Sequence, residues 1–197
     1  VYNRPSGIYD AKRPIKSLAD IKSRRYRAPT TTDVAMFNDL GAVPIGVPAT
    51  AMAESLQKGT IDGVVTDPMG VYAFKLGDLI KYYTPMFVSA ISFGVAVNIE
   101  TYNKLPADLR AIIDGVANKD GAIRMAKSSW DDFPEFTKYM TDSKIETVAL
   151  TAQDDAAMRK IADKVIQERI AQTEAKGMPA RAFYAKLKDL SNKYAKE

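Results

Sequence analysis

The chain has 197 residues, with 28 lysines and arginines against 24 aspartates and glutamates, a formal net charge of +4, and neither cysteine nor histidine. A hydrophobic fraction of 46% and a charged fraction of 26% describe an ordinary globular chain, long enough for one large domain or two smaller lobes sharing a hinge. The two zeros exclude disulfides, thiolate nucleophiles, Ser-His-Asp and Cys-His machinery, and any Cys- or His-ligated metal, so surviving chemistry would need carboxylates, lysine, tyrosine or a cofactor.

The first 29 residues carry Arg4, Lys12, Arg13, Lys16, Lys22, Arg24, Arg25 and Arg27 against Asp10 and Asp20, a local net charge of +6 that leaves −2 for the rest. Such a head binds nucleic acid, binds a small anion, or is a solvated face. No zinc-finger, RNP or heptad signature accompanies the charge, and the aromatic residues do not interleave with it, so nucleic acid is the weaker reading.

From residue 23 to 66 the pattern is regular. Arg25-Tyr26-Arg27-Ala28 reads as a short strand stopped by Pro29. Thr30-Thr31-Thr32-Asp33 supplies helix-capping residues, Val34, Met36, Phe37 and Leu40 the apolar bulk, and Gly41 the C-terminal stop. Residues 42 to 47 read as a second strand ending at Pro48. Thr50 is placed to cap a second helix with Met52, Ala53 and Leu56 inward, closed by Gly59. Residues 61 to 66 form a third strand. This β-α-β-α-β order with short loops predicts an α/β fold, a mainly parallel sheet flanked by helices.

Beyond residue 72, Lys81-Tyr82-Tyr83-Thr84 and the run from 87 to 97 read as strands. Residues 93 to 98 lack polar alternation and are expected to be buried on both faces. Leu105-Pro106 opens a helical stretch with Leu109, Ile112, Ile113, Val116 and Ile123 at helical spacing. It continues toward Trp130, where Asp131, Asp132 and Pro134 interrupt it. Residues 145 to 150 read as a short strand. Thr151 caps a long helix ending near Gly177 and Pro179. A last helix aligns Phe183, Leu187, Leu190 and Tyr194 on one face, expected to pack against the body.

In an open parallel sheet, ligands sit beyond the carboxyl ends of the strands, where helix N-termini point. Arg27, the threonines 30 to 32, Thr50, Thr66 and Asp67 all fall at that edge. A guanidinium fork beside helix N-termini would make a carboxylate or phosphate site. The other reading makes the threonines plain N-caps and Arg27 a surface residue. The pairs Asp131–Asp132 and Asp154–Asp155 do not fit catalytic carboxylates. Adjacent residues point apart, no apolar frame raises their pKa, and Asp154 has capping-box spacing from Thr151. No P-loop, GxGxxG or EF-hand spacing occurs, and no cofactor or metal is expected.

An ordered series of segments adds a family resemblance. It runs through Arg13-Pro14-Ile15-Lys16-Ser17-Leu18, Tyr26-Arg27-Ala28-Pro29, Leu40-Gly41-Ala42-Val43-Pro44-Ile45 and Leu56-Gln57-Lys58-Gly59-Thr60-Ile61-Asp62-Gly63. Phe74-Lys75-Leu76, Lys81-Tyr82-Tyr83-Thr84 and Tyr102-Asn103-Lys104-Leu105-Pro106-Ala107-Asp108-Leu109 follow. The set resembles the solute-binding subunit of tripartite ATP-independent periplasmic (TRAP) transporters, of the dicarboxylate-binding type. The resemblance implies a two-lobed periplasmic receptor without catalytic activity that closes on an organic acid and delivers it to a membrane permease. It implies that Arg27 is the carboxylate clamp, that Arg4 matches a second family arginine at longer spacing, and that Thr30 lines the pocket. Thr66 stands where some members carry a substrate-bonding Asn. Asp67 and Phe93 complete the candidate ligand-binding set.

Ala49 stands where an aromatic residue often follows the second strand; with Thr66, this departure argues against a sialic-acid-like sugar acid and leaves room for a different, bulkier or less polar, acid. The family's N-terminal lobe would precede Val1. Residues 1–92 are then expected to be the second lobe, 93–132 a crossing strand and helix of the first, and 133–197 the return with its C-terminal helices. The edge at 93 to 97 would stay unpaired and favour self-association. Two competing readings remain at this point: a basic nucleic-acid- or membrane-surface-binding module, and an enzyme using Asp67 or Lys75 in the same cleft.

Overall fold

The structure is a computed structural model that describes residues 6–86, 88–91, 93–131 and 133–194. Six strands and nine α-helices are assigned among them. In order they are β1 (Gly7–Asp10), β2 (Arg25–Arg27), α1 (Thr31–Asp39), β3 (Val43–Ile45), α2 (Met52–Gln57), β4 (Gly63–Thr66), α3 (Pro68–Ala73) and β5 (Tyr82–Thr84). Then come α4 (Ile99–Lys104), α5 (Ala107–Val116), α6 (Lys119–Asp131), α7 (Phe133–Asp142), β6 (Glu146–Thr147), α8 (Ala152–Glu174) and α9 (Ala180–Tyr194).

The strands form one sheet in the order β3-β2-β4-β1-β5-β6. The pairs β2–β3, β2–β4 and β5–β6 are parallel, whereas β1 runs antiparallel to both β4 and β5. The expected α/β class and the β2-α1-β3-α2-β4 order are therefore present. Gly41 and Gly59 end α1 and α2 with φ of +74° and +65°, a left-handed backbone that glycine adopts without a Cβ penalty.

Side chains alternate across the sheet, and each face has its own core. Ile8, Tyr26 and Val65 pack with Met36 and Phe37 of α1 and Met158 and Val165 of α8. On the other face Tyr9 and Val64 pack with Met52 and Leu56 of α2, Val71 of α3, Leu76 and Ile80. Gly63 permits this layering. A Cβ there would strike the Tyr9 carbonyl oxygen and come within 2.8 Å of the Tyr26 ring.

The basic head is not a plain solvated face. Gly7–Asp10 is a fully buried strand in the sheet interior, missed because four residues among scattered cations carry little local signal. Its Asp10 forms a buried ion pair with Arg24 and accepts a hydrogen bond from Tyr26 Oη at 2.9 Å. The other Asp10 oxygen takes the backbone N–H groups of Lys12 and Arg13, each at 2.9 Å. Arg25 meets Asp62 through Nε at 3.2 Å and Nη2 at 2.8 Å. Arg24 and Asp10 thus neutralise each other inside the sheet, and Arg25 pairs with Asp62 at its margin.

Three further expectations are corrected. Thr50 does not cap α2. A 3-10 turn over Ala49–Ala51 follows Pro48, and Ala51 precedes the helix without a side-chain cap. The described residues between 87 and 97 form no strand, and Phe93, Val95 and Val97 are 51%, 87% and 50% exposed. Among the described residues no strand is assigned beside Phe93, Val95 and Val97, so their side chains lie open to solvent. The α9 stripe is also open, with Phe183 70% and Leu190 39% exposed. The helix rests on α8, and those residues belong to neither core. The side chain of Tyr194 lies outside the described residues.

Candidate functional site

Arg27 is the last residue of β2 and sits between the parallel strands β3 and β4, opposite Ile45 and Val64. Tyr26 points into the α1 side of the sheet and Arg27 to the other, as strand alternation requires. The half-buried guanidinium is fastened at two points. Nε donates to the Val47 carbonyl at 3.1 Å, and Nη1 donates to the Val65 carbonyl at 3.2 Å. A guanidinium has five N–H donors, so one on Nη1 and both on Nη2 remain for a ligand. Burial holds the Arg27 pKa below its ordinary value, and the charge of Asp33 acts in the opposite direction.

The floor under Arg27 is rigid. Tyr26, its neighbour, is fully buried and tied to Asp10, and the Arg24 guanidinium lies 5.6 Å from the centre of the Tyr26 ring. Burial and the neighbouring Asp10 charge push the Tyr26 phenol far up, so it stays a neutral donor. Arg27 therefore extends from a strand whose position is fixed by a buried polar network.

Thr30 is the N-cap of α1. Its hydroxyl accepts from Asp33 N at 3.1 Å and donates to Asp33 Oδ2 at 2.6 Å, while Thr30 N donates to the same Oδ2 at 3.0 Å. The single hydroxyl proton is spent on this capping box, so the hydroxyl has only acceptor capacity left toward a ligand. Asp33 is fully buried, and its Oδ1 has no hydrogen-bond partner among the described residues. The sequence marked Asp33 only as part of a capping run. The T-x-x-D spacing is compatible with its bond to Thr30 and says nothing of its burial.

Thr66 ends β4 and is buried, with its Oγ1 packed against Gly70 of α3. Asp67 is the N-cap of α3 and accepts from Gly70 N at 2.8 Å. Arg27, Thr30, Thr66 and Asp67 therefore share the carboxyl edge of the parallel strands. Phe93 lies elsewhere. It borders a groove of about 780 Å³ with Val95, Val97, Ile113, Val116 and Met125, built from residues 93–125 alone. Arg4 lies outside the described residues. One cation was not anticipated: Arg169 of α8 donates to the Thr31 carbonyl at 2.8 Å and to Gln172 at 3.1 Å. Among the described residues no group of three His, Cys, Asp or Glu could hold a metal ion, and no helix is long and apolar enough to cross a membrane.

Against this geometry stand the likenesses to known proteins. The family model described as bacterial extracellular solute-binding protein, family 7, matches residues 6–173. The chain belongs to this family. The resemblance to TRAP solute-binding subunits is thereby borne out. A TRAP solute-binding protein of Rhodoferax ferrireducens, solved with copurified benzoate, superposes with a TM-score of 0.84 at 25% identity, covering 99% of this chain and 62% of that one. A marine metagenome TRAP solute-binding protein specific for aromatic acids, solved with 3-hydroxybenzoate, gives 0.82 at 27% identity, covering 98% and 62%. The C4-dicarboxylate-binding periplasmic protein DctP of Rhodobacter capsulatus is 28% identical over 137 residues, which is 68% of this chain and 40% of that protein. The chain thus spans about two fifths of that curated relative's length. The family is an extracytoplasmic transport family.

Proposed function

We propose that the chain carries the carboxylate-clamping lobe of a periplasmic receptor. Arg27 captures an organic acid, and the receptor hands it to a TRAP membrane permease without chemical change. The observation that carries this reading is the Arg27 guanidinium, half-buried at the carboxyl edge of parallel strands. Two carbonyls fix it and leave one edge of donors open. An anchored guanidinium has already lost its rotamer entropy, and it meets a carboxylate as a preformed fork. The solved relatives named above hold benzoate and 3-hydroxybenzoate, and the curated one binds C4-dicarboxylates; a carboxylate is the common element.

The division into lobes belongs to the same proposal. Residues 1–92 form the clamp side, 93–132 cross to the other lobe, and 133–197 return. Consistent with this, the helices of residues 93–131 touch the rest of the fold chiefly where α6 meets α7. Phe93 then belongs to the opposite wall, where its groove lies, and approaches Arg27 only on closure. Thr30, Thr66 and Asp67 shape the mouth around the clamp. Burial of the Arg24–Asp10 pair and the pairing of Arg25 with Asp62 favour this reading over a surface that binds nucleic acid or membrane.

Mass spectrometry of small acids released from the full-length protein tests the proposal. Wild-type protein should release one dominant carboxylic acid, and the Arg27→Ala variant, purified in parallel, should release none. Equal recovery from both would remove Arg27 from the role.

A further inference from the structure

Of the two carbonyls that fasten Arg27, the sheet secures one and leaves the other to the local sequence. Val65 lies in β4, which pairs with β1 on one side and β2 on the other. Val47 lies past the end of β3, the edge strand, in the link to the 3-10 turn and outside the ladder. Gly46, just before it, is exposed, and a Cβ there would meet nothing within 4 Å, so no neighbour restrains the link from that side. Two features oppose this freedom. The Val47 side chain packs against the core that contains Tyr9 and Val64. The next residue is Pro48, with φ of −57° and ψ of 149°, and a proline ring confines the residue before it to extended backbone. Pro48 also brings no N–H. Any other residue there would let the peptide turn over, withdrawing the Val47 carbonyl from Arg27 Nε and offering an N–H to an incoming carboxylate instead.

We propose that Pro48 is a positioning residue for Arg27: by confining Val47 it keeps the Val47 carbonyl on Arg27 Nε, so the open Nη donors are already aimed when a carboxylate arrives. The guanidinium is then ordered before binding, and its ordering cost does not fall on the ligand. The purpose of this device rests on the receptor reading above; the Nε contact at 3.1 Å does not. Pro48 is itself exposed, so Pro48→Ala removes the ring without opening a cavity in either core.

Hydrogen exchange at arginine Nε, followed by NMR on the ligand-free full-length protein, tests this. The Arg27 signal is identified by its loss in Arg27→Lys. Arg25, two residues earlier on the same strand and bonded through Nε to Asp62 at 3.2 Å, is the internal control, identified by its loss in Arg25→Lys. Pro48→Ala should speed exchange at Arg27 Nε by about tenfold or more and leave Arg25 within about twofold. A merely structural role, in which the variant loosens the fold or frees the unfolded chain, would move both signals or neither. In the mass-spectrometric assay Pro48→Ala should also release less of the copurified acid than wild type, by about threefold or more. Unchanged exchange at Arg27, equal acceleration at both arginines, or undiminished acid recovery from Pro48→Ala beside complete loss from Arg27→Ala overturns the inference. Equal acid recovery from wild type and Arg27→Ala overturns the receptor reading instead, whatever the exchange rates show.

Discussion

Asp10→Ala should be among the most damaging single substitutions in the chain. The residue is 1% exposed, and its two oxygens serve four donors: Arg24, Tyr26 Oη, and the backbone N–H groups of Lys12 and Arg13. Truncation leaves the Arg24 guanidinium, itself 4% exposed, as a buried charge without its counter-ion. Losing one partner of a buried pair costs about 3–5 kcal/mol. For a domain of this size that corresponds to a fall in Tm of roughly 6–20 °C. Urea unfolding followed by circular dichroism measures it, with the m-value checking that the transition stays two-state. The double variant Asp10→Leu with Arg24→Met should recover only part of the loss, because it removes the unpaired buried charge but leaves Tyr26 Oη and the backbone N–H groups of Lys12 and Arg13 without their acceptor. A loss below about 1 kcal/mol for Asp10→Ala would show that water or rearrangement satisfies Arg24, and that the clamp strand does not depend on this network.

Other outcomes follow from the same packing. Gly63→Ala should destabilise by at least about 2 kcal/mol and lower ligand affinity, since the new methyl meets the Tyr9 carbonyl and the Tyr26 ring directly below the clamp; thermal melts and titration report both effects. Leu190→Ala should cost under about 1 kcal/mol, against the 2–5 kcal/mol of a buried leucine, because the side chain is 39% exposed; light scattering should show less self-association of the 197-residue chain in the triple variant Phe183→Ser, Leu187→Ser, Leu190→Ser. Hydrogen bonding to Arg25 holds the Asp62 carboxyl below its ordinary value, so its stabilising contribution is present above the unfolded-state pKa and is lost as pH falls through the lower folded value. Asp62→Asn should therefore show a shallower loss of stability on acidification than wild type, read by denaturation at a series of pH values.

The β2-α1-β3-α2-β4 core was legible because breakers punctuate it. Pro29, Gly41, Pro48 and Gly59 each end an element at a residue whose backbone preference is strong and local. Strand β1 was not legible, because what makes it a strand is pairing with β4 more than fifty residues away, and nothing within Gly7–Asp10 announces that partner. The run near Phe93 and the stripe of α9 show the converse limit. Their apolar patterns state that something should cover them, and the structure leaves both open to solvent. At the site, Arg27 stood out by its strand-then-proline setting. The two carbonyls that fasten it, and the burial of Asp33, arise from how strands and helix meet in space and leave no trace in spacing.

The account turns on Arg27 as a carboxylate clamp, and calorimetric titration of the copurified acid into stripped wild-type, Arg27→Ala and Arg27→Lys proteins tests it most directly. Arg27→Ala should weaken binding by about 100-fold or more, near 3 kcal/mol, because the ligand carboxylate is left buried without its counter-charge. Arg27→Lys should recover little of it, since an ammonium can neither hold both carbonyls nor present a planar fork. An Arg27→Ala protein that binds the acid within threefold of wild type would contradict the account.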